Sequence, residues 1–312
     1  MADAPSSSSV PQVAVVLASR DRPEMVDRCL ASVRAAIGDH DELVLVDSAS
    51  QQQHRAAYAE AAERHGATLV RLDVPGVNRA RNAGWTATTA PLVLFTDDDV
   101  EVEPTWATAY QTCFHDHPET AFVTGWLAPP EEAGQSNDVA VLADELPRVL
   151  DHDARGVLGH GASMAVRRSA LETVHGWDDS LGAGARFRAA PEVDLFDRLL
   201  HAGLPGRFEP AARARHHQWR SVGQLARLHF RYGMGTGARM AKLARYDRRR
   251  LRHAAREAWW SWGLKELLEH LRTRNERRAA IDLLRMSGYV LGFLEALGTP
   301  VRDGLFAPRS RP

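Results

Sequence analysis

The stretch Pro91–Val100, which reads PLVLFTDDDV, joins a short apolar run to three successive carboxylates at Asp97, Asp98 and Asp99. The apolar run predicts a buried strand. Adjacent like charges repel, and partly desolvated carboxylates gain protons or find a counter-charge, so a divalent cation is the natural candidate. Mg²⁺ and Mn²⁺ prefer such oxygen ligands. For the triplet taken alone, an acidic turn or a helix cap is the alternative interpretation.

If the chain stays extended through the triplet, Asp97 and Asp99 project to one side and Asp98 to the other. Similar apolar runs occur earlier in the chain, and continuous runs of this kind are typical of strands covered by helices on both faces. Strands are predicted over Val13–Ala18, Glu42–Asp47, Thr68–Leu72 and Ala121–Trp126, alternating with helices. This pattern predicts an α/β fold with a doubly wound, mainly parallel sheet, whose ligands collect at the carboxyl ends of the strands.

The chain has 312 residues, 44% of them hydrophobic, and a net charge of −1. No stretch approaches the length of uninterrupted apolar sequence that a membrane-spanning helix requires, and the small, polar start lacks a signal pattern. Cys29 and Cys113 form no metal spacing or disulfide framework, so buried thiols and a cytoplasmic location are expected. Arginine is concentrated between Arg207 and Arg278, where it can attract phosphates or anionic lipid heads, although solvated helix faces also explain much of it.

Seven segments occur in the order found in family 2 glycosyltransferases of the GT-A fold, and the resemblance covers roughly residues 13–237. The segments are VAVVLASRDRPEMVDRCLASV, ELVLVDSAS, GVNRARNAG, LVLFTDDDV, GASMAVRRSALETVHGWDDSLGAGARF, PEVDLFDRLLHAG and RARHH. The resemblance implies a metal-dependent, inverting transfer of a sugar from a nucleoside diphosphate-sugar, for which a UDP-sugar is expected. The acceptor would be a hydroxyl of a glycan, a lipid or a natural-product aglycone. No nucleic-acid partner is expected.

The sequence pattern and the resemblance together predict a domain division. Residues 1–10 are expected to form a disordered tail, and residues 11–218 a GT-A catalytic domain. Within that domain, the nucleotide-binding half covers about 11–126 and the acceptor half about 156–218. Residues 219–312 form a C-terminal helical region.

In the family, the end of the first strand and the acid after the second hold the base and ribose of the nucleotide. These positions correspond to Ala18, Arg20 and Asp47. An acid there can accept hydrogen bonds from a ribose hydroxyl, and the alternative for Asp47 is a turn cap. Arg81 and Asn82 resemble the segment that lies under the nucleotide-sugar, where guanidinium groups meet phosphate or sugar oxygens; a surface salt bridge is the ordinary alternative for the arginine.

The triplet resembles the DXD motif, which assigns Asp99 to an Mg²⁺ or Mn²⁺ ion and lets Asp97 or Asp98 contact metal or ribose. His216 stands where family members often place a histidine near the metal, and a neutral imidazole is a common ligand. Its neighbour His217 is the alternative ligand. The ion would stabilise the charge that develops on the leaving diphosphate.

The step that needs a base is deprotonation of the acceptor hydroxyl. Family members carry Glu-Asp followed by a further acid at a helix start, whereas this chain has Pro191-Glu192-Val193-Asp194. The resemblance therefore assigns Glu192 as the base, held ionised by the helix dipole, and Asp194 as its supporting or acceptor-positioning neighbour. The alternative is that both are merely favourable first-turn acids.

Three further features leave alternatives open. Trp177 either stacks on a sugar or is a buried anchor, and the glycines at 182 and 184 would let a loop close over the substrates. A long amphipathic helix interrupted by Gly233, Gly235 and Gly237 is predicted over 219–246. The Trp-bearing helices beyond it either lie peripherally on the inner face of the membrane or pack against the catalytic domain or a second subunit of a homodimer.

Two rival functions also remain open at this point. One is a nucleotidyltransferase on a related α/β fold, although the SRDRP turn after the first strand is a poor version of its phosphate loop. The other is a sugar-nucleotide-binding protein that has lost catalysis, which the altered PEVD stretch suggests.

Overall fold

The computed structural model describes residues 11–130, 141–217 and 222–307, with side chains from 226 onward in the last range. The predicted tail at 1–10 lies outside the described residues. The strands are β1 (Val13–Ser19), β2 (Glu42–Ser48), β3 (Thr68–Leu72), β4 (Leu92–Asp97), β5 (Val100–Val102), β6 (Phe122–Ala128), β7 (Arg148–Leu150), β8 (Ser163–Arg167), β9 (Gly206–His216), β10 (Val301–Arg302) and β11 (Leu305–Phe306).

The helices are α1 (Pro23–Ala36), α2 (Arg55–Arg64), α3 (Val77–Thr86), α4 (Trp106–Asp116), α5 (Arg168–Thr173), α6 (Pro191–His201), α7 (Val222–Tyr246), α8 (Arg248–Arg256), α9 (Lys265–Arg272) and α10 (Glu276–Leu297). A 3₁₀ turn at Gln52–His54 precedes α2, and a π-helical segment at Glu257–Leu264 joins α8 to α9.

The main sheet has the order β3-β2-β1-β4-β8-β6-β9-β5, and β7 pairs with β9. The strands from β3 to β4 run parallel, as predicted, and their carboxyl ends share one edge. Strand β8 runs antiparallel between β4 and β6, which the sequence pattern did not predict. The predicted α/β architecture is thereby confirmed, as a large, mostly parallel sheet flanked by helices.

Alternating residues of the parallel strands face two different apolar clusters. On β1, Val13, Val15 and Leu17 pack against α1, α2 and α4, whereas Val16 packs toward α3 and α6. The continuous apolar runs are explained by this burial on both faces, since neither face can be polar. The core therefore fixes the strands rigidly and presents the loops at their carboxyl ends.

The C-terminal helices pack as a layer in which α7 lies against α10. Helix α7 is continuous, so the prediction that glycines interrupt it is wrong. A side chain at Gly237 would collide with the backbone of α10 at Tyr289, and one at Gly292 would collide with the backbone of α7 at Met234. The glycines therefore permit close approach of two helices. Within the described residues, no helix has the length and apolarity needed to cross a bilayer.

Candidate active site

The carboxylate triplet lies where β4 ends and the chain turns before β5, so it does not stay extended. Its three side chains therefore have different neighbours. Asp97 Oδ1 accepts a hydrogen bond from Arg81 Nη2 at 2.8 Å, and Asp98 Oδ1 lies 2.8 Å from Arg22 Nη1. Asp99 Oδ1 lies 3.3 Å from His216 Nε2. The counter-charges that the sequence led us to expect are supplied in part by the protein itself.

Asp98 is buried, and its partner nitrogen, Arg22 Nη1, also lies 3.7 Å from Asp99 Oδ2. The second oxygen of Asp98 accepts a hydrogen bond from Ser19 Oγ at the end of β1. Burial raises the pKa of Asp98 to about 7, against the opposing effect of Arg22. Both oxygens are thus occupied by protein donors, so the geometry favours support of the turn over the ribose or metal contact that the sequence left open.

Strand pairing brings a histidine to the triplet. Val100, directly after Asp99, pairs with His216 in the antiparallel β5–β9 ladder. The side chain of His217 contacts a different acid: its Nε2 lies 2.9 Å from Glu101 Oε1. Its backbone N–H donates to the carbonyl oxygen of Asp99. Of the two histidines, His216 is the one beside the triplet.

The side chains at this corner fit a hard divalent cation. Asp99 offers a carboxylate oxygen beside the imidazole of His216, and the side chain of Asp97 is 33% exposed. Mg²⁺ commonly takes only one or two protein carboxylates and completes its shell with phosphates and water. Asp99, His216 and Asp97 could therefore hold such an ion together with phosphate oxygens.

A second group of potential ligands lies elsewhere. Within the described ranges, the one trio whose ligand atoms all lie within 4.8 Å of one another is His152, His201 and Asp247. Both imidazoles lie on the same oxygen, Asp247 Oδ2, at 2.7 and 2.9 Å, which are hydrogen-bond distances. These contacts tie the end of α6 and the segment after β7 to the start of α8.

Arg81 has unused hydrogen-bonding capacity at the site. Its guanidinium is buried, lies 4.5 Å from the centre of the Trp177 ring and packs on Gly161, where a Cβ would lie 2.8 Å from Nη2. One nitrogen bonds to Asp97, whereas Nε and Nη1 are buried without a hydrogen-bond partner in the described part of the chain. A buried guanidinium with spare donors is suited to phosphate or sugar oxygens.

Asn82 was predicted to contact the nucleotide, but its amide is already fully occupied. Nδ2 donates to the carbonyl of Trp177 at 2.8 Å and to Asp179 at 3.0 Å. Oδ1 accepts from the Trp177 N–H and from Trp85 Nε1. An amide has two donor hydrogens and two acceptor positions, so no capacity remains for a ligand. We therefore correct its assignment: Asn82 anchors the segment at 177–179 to α3.

The predicted nucleotide residues lie at the same sheet edge. Ala18 is half-buried at the end of β1, and Arg20 is exposed with its guanidinium 3.4 Å from Asp21. Asp47 Oδ1 accepts a hydrogen bond from the Ser50 N–H at 2.8 Å, which is the turn cap that the sequence allowed. Its second oxygen lies 3.9 Å from Arg71, beyond hydrogen-bond distance, so a ribose contact stays a prediction.

Glu192 occupies the first turn of α6, after Pro191 at the helix start. Burial raises its pKa above the usual 4.5, Arg81 opposes the rise, and Asp97 adds to it. Burial therefore outweighs the backbone hydrogen bond at the helix start, which favours the ionised carboxylate. Glu192 is therefore close enough to Arg81 and Asp97 for their charges to act on it, and its raised pKa makes it a stronger base.

Asp194, in the same first turn of α6, belongs to a buried ion-pair network. Its oxygens contact Lys242 Nζ at 2.5 Å and Arg198 Nε at 2.9 Å, and the same Lys242 lies 2.6 Å from Asp178. Asp194 is 1% exposed. A direct acceptor contact is incompatible with this burial, so its position supports only the positioning role.

Replacing Lys242 with Met is expected to destabilise the fold by about 3 kcal/mol, because two buried carboxylates lose their shared cation. The midpoint of denaturant unfolding measures this effect. Lys265→Met, at an exposed position on α9, is the control and should leave the midpoint unchanged. An equal shift in both variants would show that the buried network contributes nothing specific.

His160 is a site residue that the sequence analysis missed. It is half-buried, with Nε2 3.3 Å from the carbonyl of Val141. Burial lowers its pKa to about 4, and its electrostatic neighbours include His216 and Asp97. The pairing of Thr96 with Ser163 in the antiparallel β4–β8 ladder brings it there. The available signal was a histidine between two glycines just before a strand.

The remaining predictions concern the segment after Trp177. Trp177 is 1% exposed and packs edge-on against Phe95, so it is a buried anchor and does not stack on a sugar. The loop at 182–188 rests on α3, where the Val77 N–H donates to the carbonyl of Ala183. Closure of this loop over substrates stays a prediction.

Comparison with known proteins agrees with this geometry. Residues 14–174 match the family described as Glycosyl transferase family 2. Two curated relatives, the pre-mycofactocin glycosyltransferases of Mycobacterium tuberculosis strains CDC 1551 / Oshkosh and H37Rv, are 30% identical over 252 residues, which is 76% of this chain and 49% of each relative. This chain thus spans about half the length of the curated relatives it matches.

A similar solved structure is the mannosyltransferase PcManGT from Pyrobaculum calidifontis, in complex with GDP-Man and Mn²⁺. The TM-score is 0.60 at 15% sequence identity, over 92% of this chain and 88% of that one. At this identity, the likeness supports the GT-A fold. The family match removes the nucleotidyltransferase alternative, and this chain belongs to glycosyl transferase family 2.

Proposed function

We propose that this glycosyltransferase is metal-dependent and inverting. It moves a sugar from a nucleoside diphosphate-sugar to a hydroxyl acceptor, and we propose a UDP-sugar as the donor. One observation carries the proposal. Glu192 lies in the first turn of α6, where the charges of Asp97 and Arg81 act on it, and this supports a base near the corner where Asp99 meets His216. A base and a diphosphate-binding corner thus share one edge of the sheet.

In this proposal, Asp99 and His216 hold Mg²⁺ or Mn²⁺, with Asp97 as a further oxygen ligand. When bound, such an ion neutralises negative charge on the diphosphate as it leaves. Arg81 donates from its two unpaired nitrogens, Nε and Nη1, to donor oxygens, because buried donors without acceptors are costly. Asn82 and Asp98 do not contact the donor. Asn82 holds the segment at 177–179, and Asp98 holds the turn of the triplet.

The chemical step is a single in-line displacement at the anomeric carbon. The acceptor hydroxyl gives its proton to the Glu192 carboxylate while its oxygen forms the new bond to the anomeric carbon. The bond from that carbon to the diphosphate oxygen breaks, and its electron pair leaves with the diphosphate. Attack from the opposite side inverts the configuration. Asp194 fixes the first turn of α6 through Lys242 and Arg198, which positions the base.

Support for the donor class comes from the family and from the fold neighbour, which was solved with GDP-Man and Mn²⁺. A GDP-sugar is therefore the direct competitor of the UDP-sugar. The curated relatives carry pre-mycofactocin in their name. Glycan, lipid and natural-product aglycone all stay within the proposed acceptor class.

A panel of UDP-, GDP- and dTDP-sugars, each with Mn²⁺ or with a chelator, tests the donor proposal by thermal shift. A ligand that binds only the folded state raises apparent stability, by about 2.7 kcal/mol at a hundred times its dissociation constant. We expect stabilisation with one nucleotide and only with metal. Equal stabilisation by all three donors, or stabilisation that survives the chelator, would contradict the proposal.

A second candidate function is a sugar-nucleotide-binding protein without turnover. The observation that favours it is Pro191, which stands where family members usually carry an acid. Metal-dependent donor binding, with neither transfer nor donor hydrolysis by the wild type, would select this candidate.

A further inference from the structure

Large exposed apolar side chains are concentrated in one part of the C-terminal helices. Of the seventeen that the described residues contain, twelve lie between 259 and 297. We call these twelve the apolar face: Trp259, Trp260, Trp262, Leu264, Leu268, Leu271, Leu283, Leu284, Val290, Leu291, Leu294 and Leu297. An apolar surface of this extent on a soluble domain usually marks an interaction site.

The apolar face follows the helical period on α10. Leu283, Val290, Leu294 and Leu297 recur at spacings of seven, four and three, so they share one side of the helix. The other side carries Gly292 and its neighbours, which pack against α7. Within the described residues, the fold therefore uses one side of α10 and leaves the apolar side exposed.

A cavity of about 790 Å³ adjoins this face. Leu284 of the apolar face forms part of its wall, together with Phe230 and Met234 of α7. Helix α7 continues from there to Gly235, whose Cα packs on the backbone of Ala189 just before α6. The cavity is thus continuous with the apolar face on one side and with the acceptor half on the other.

The cavity is strongly basic. Its lining includes four arginines, Arg186, Arg188, Arg227 and Arg231, and one acid. That acid, Glu295, lies 2.8 Å from Arg186 and so leaves three guanidinium groups. Those three are exposed and have no carboxylate within ion-pair distance in the described part of the chain. Guanidinium groups above apolar walls match a phosphate attached to a hydrocarbon chain.

Exposed basic side chains outnumber the exposed acids, Glu269 and Glu276, on the segments that adjoin the apolar face. Exposed cations on α8, α9 and the adjoining segments are Arg252, Arg256, Lys265, Arg272, Arg274 and Arg277. Tryptophans with leucines on one side and arginines around them are the composition of helices that lie in the headgroup region of a bilayer.

We propose that the apolar face docks this enzyme on an anionic lipid bilayer and that the arginine-lined cavity takes the phosphate of a lipid headgroup at its edge. Charge decides against a second copy of the chain as the occupant. A two-fold interface places the same patch on both subunits, so it would bring these arginines against one another. A bilayer with anionic headgroups supplies the opposite charge, worth roughly 1 kcal/mol for each basic residue near the surface.

Co-sedimentation of the full chain with vesicles tests the proposal. Phosphatidylcholine alone is compared with phosphatidylcholine that contains phosphatidylglycerol, at low and high salt. We expect binding to the anionic vesicles that weakens as salt rises. The double variant Trp260→Ser/Leu268→Ser and the double variant Arg227→Glu/Arg231→Glu should each lower the affinity roughly tenfold or more.

Matched controls lie on other surfaces. Leu146→Ser removes an apolar side chain that is 78% exposed, and Arg28→Glu/Arg64→Glu reverses two arginines, each 57% exposed, on α1 and α2. Neither control should change vesicle binding. Circular dichroism melting confirms that each variant is folded, and the wild-type vesicle result stands even if one is not.

Sedimentation velocity measures the oligomeric state, which tests the alternative that the apolar face is a subunit interface. A wild-type dimer that the Trp260→Ser/Leu268→Ser variant converts to monomer, without binding of the wild type to either vesicle, would overturn the proposal in favour of a subunit interface. Absence of wild-type binding to anionic vesicles at low salt would also overturn it. Equal binding to both vesicle types would reject the headgroup site.

Discussion

Replacing Glu192 with Gln is expected to lower kcat by about a thousandfold, because general-base catalysis typically contributes 10²–10⁴-fold. Gln keeps the size of the side chain and loses the carboxylate that accepts the proton. Donor affinity should change by less than about twofold, since the base acts in the transition state and not on donor binding. Steady-state transfer rates, together with donor titrations, measure both quantities.

The pH profile provides an independent readout of the same group. The base works when it is ionised, and burial raises the pKa of Glu192 above 4.5. Activity should therefore fall as pH decreases through that raised pKa, and the residual activity of the Gln variant should lack this limb. Glu172→Gln, at an exposed position on α5, is the matched control and should retain both rate and profile. An unchanged kcat in Glu192→Gln would reject the base assignment.

Replacing Asp99 with Asn is expected to weaken metal-dependent donor binding by about a hundredfold or more, since charge neutralisation by a bound ion is worth several kcal/mol. Asn has the same shape, but it lacks the charge that a divalent cation requires. Calorimetric titration of UDP or GDP, with Mn²⁺ and with a chelator, measures the effect.

In the Asp99→Asn variant, the affinity for UDP or GDP should be the same with Mn²⁺ and with the chelator. Asp116→Asn removes an exposed carboxylate at the end of α4 and should bind like the wild type. Melting temperatures of both variants show whether the loss of the contacts with His216 and Arg22 has altered the fold. Metal-dependent binding of undiminished strength in Asp99→Asn would place the ion elsewhere.

The strands that form the nucleotide edge were predictable because they are buried on both faces. Each continuous apolar run, such as Val13–Leu17, must be buried on both faces, and an α/β fold achieves this with helices above and below the sheet. Parallel strands then place Asp47 and Asp97 at the same edge whatever the details of the loops. The position of the acidic corner therefore followed from local patterns alone.

The partners of the acids were not predictable in the same way. Arg22 and Lys242 meet their carboxylates through contacts between elements far apart in the chain, whereas Arg81 meets Asp97 from the preceding element, α3. Sequence spacing holds no information on such pairings. The same is true of His160, which reaches the site through a strand that runs antiparallel to its neighbours.

The sequence also does not show whether the polar atoms of a side chain already have hydrogen-bond partners within the fold. Asn82 has the residue type expected of a ligand contact, yet all its polar positions are used within the fold. Asp194 has the right position on α6 but is enclosed by two cations. Arg81 is the converse case, because burial leaves two of its nitrogens unpaired beside the corner.

A crystal of the protein soaked with Mn²⁺ and UDP or GDP tests the central claim most directly, through the anomalous signal of the metal. The account predicts a peak within coordination distance of an Asp99 oxygen and of His216 Nε2, with the diphosphate bound beside it. A peak at His152, His201 and Asp247 instead, or a diphosphate bound away from the triplet, would contradict it.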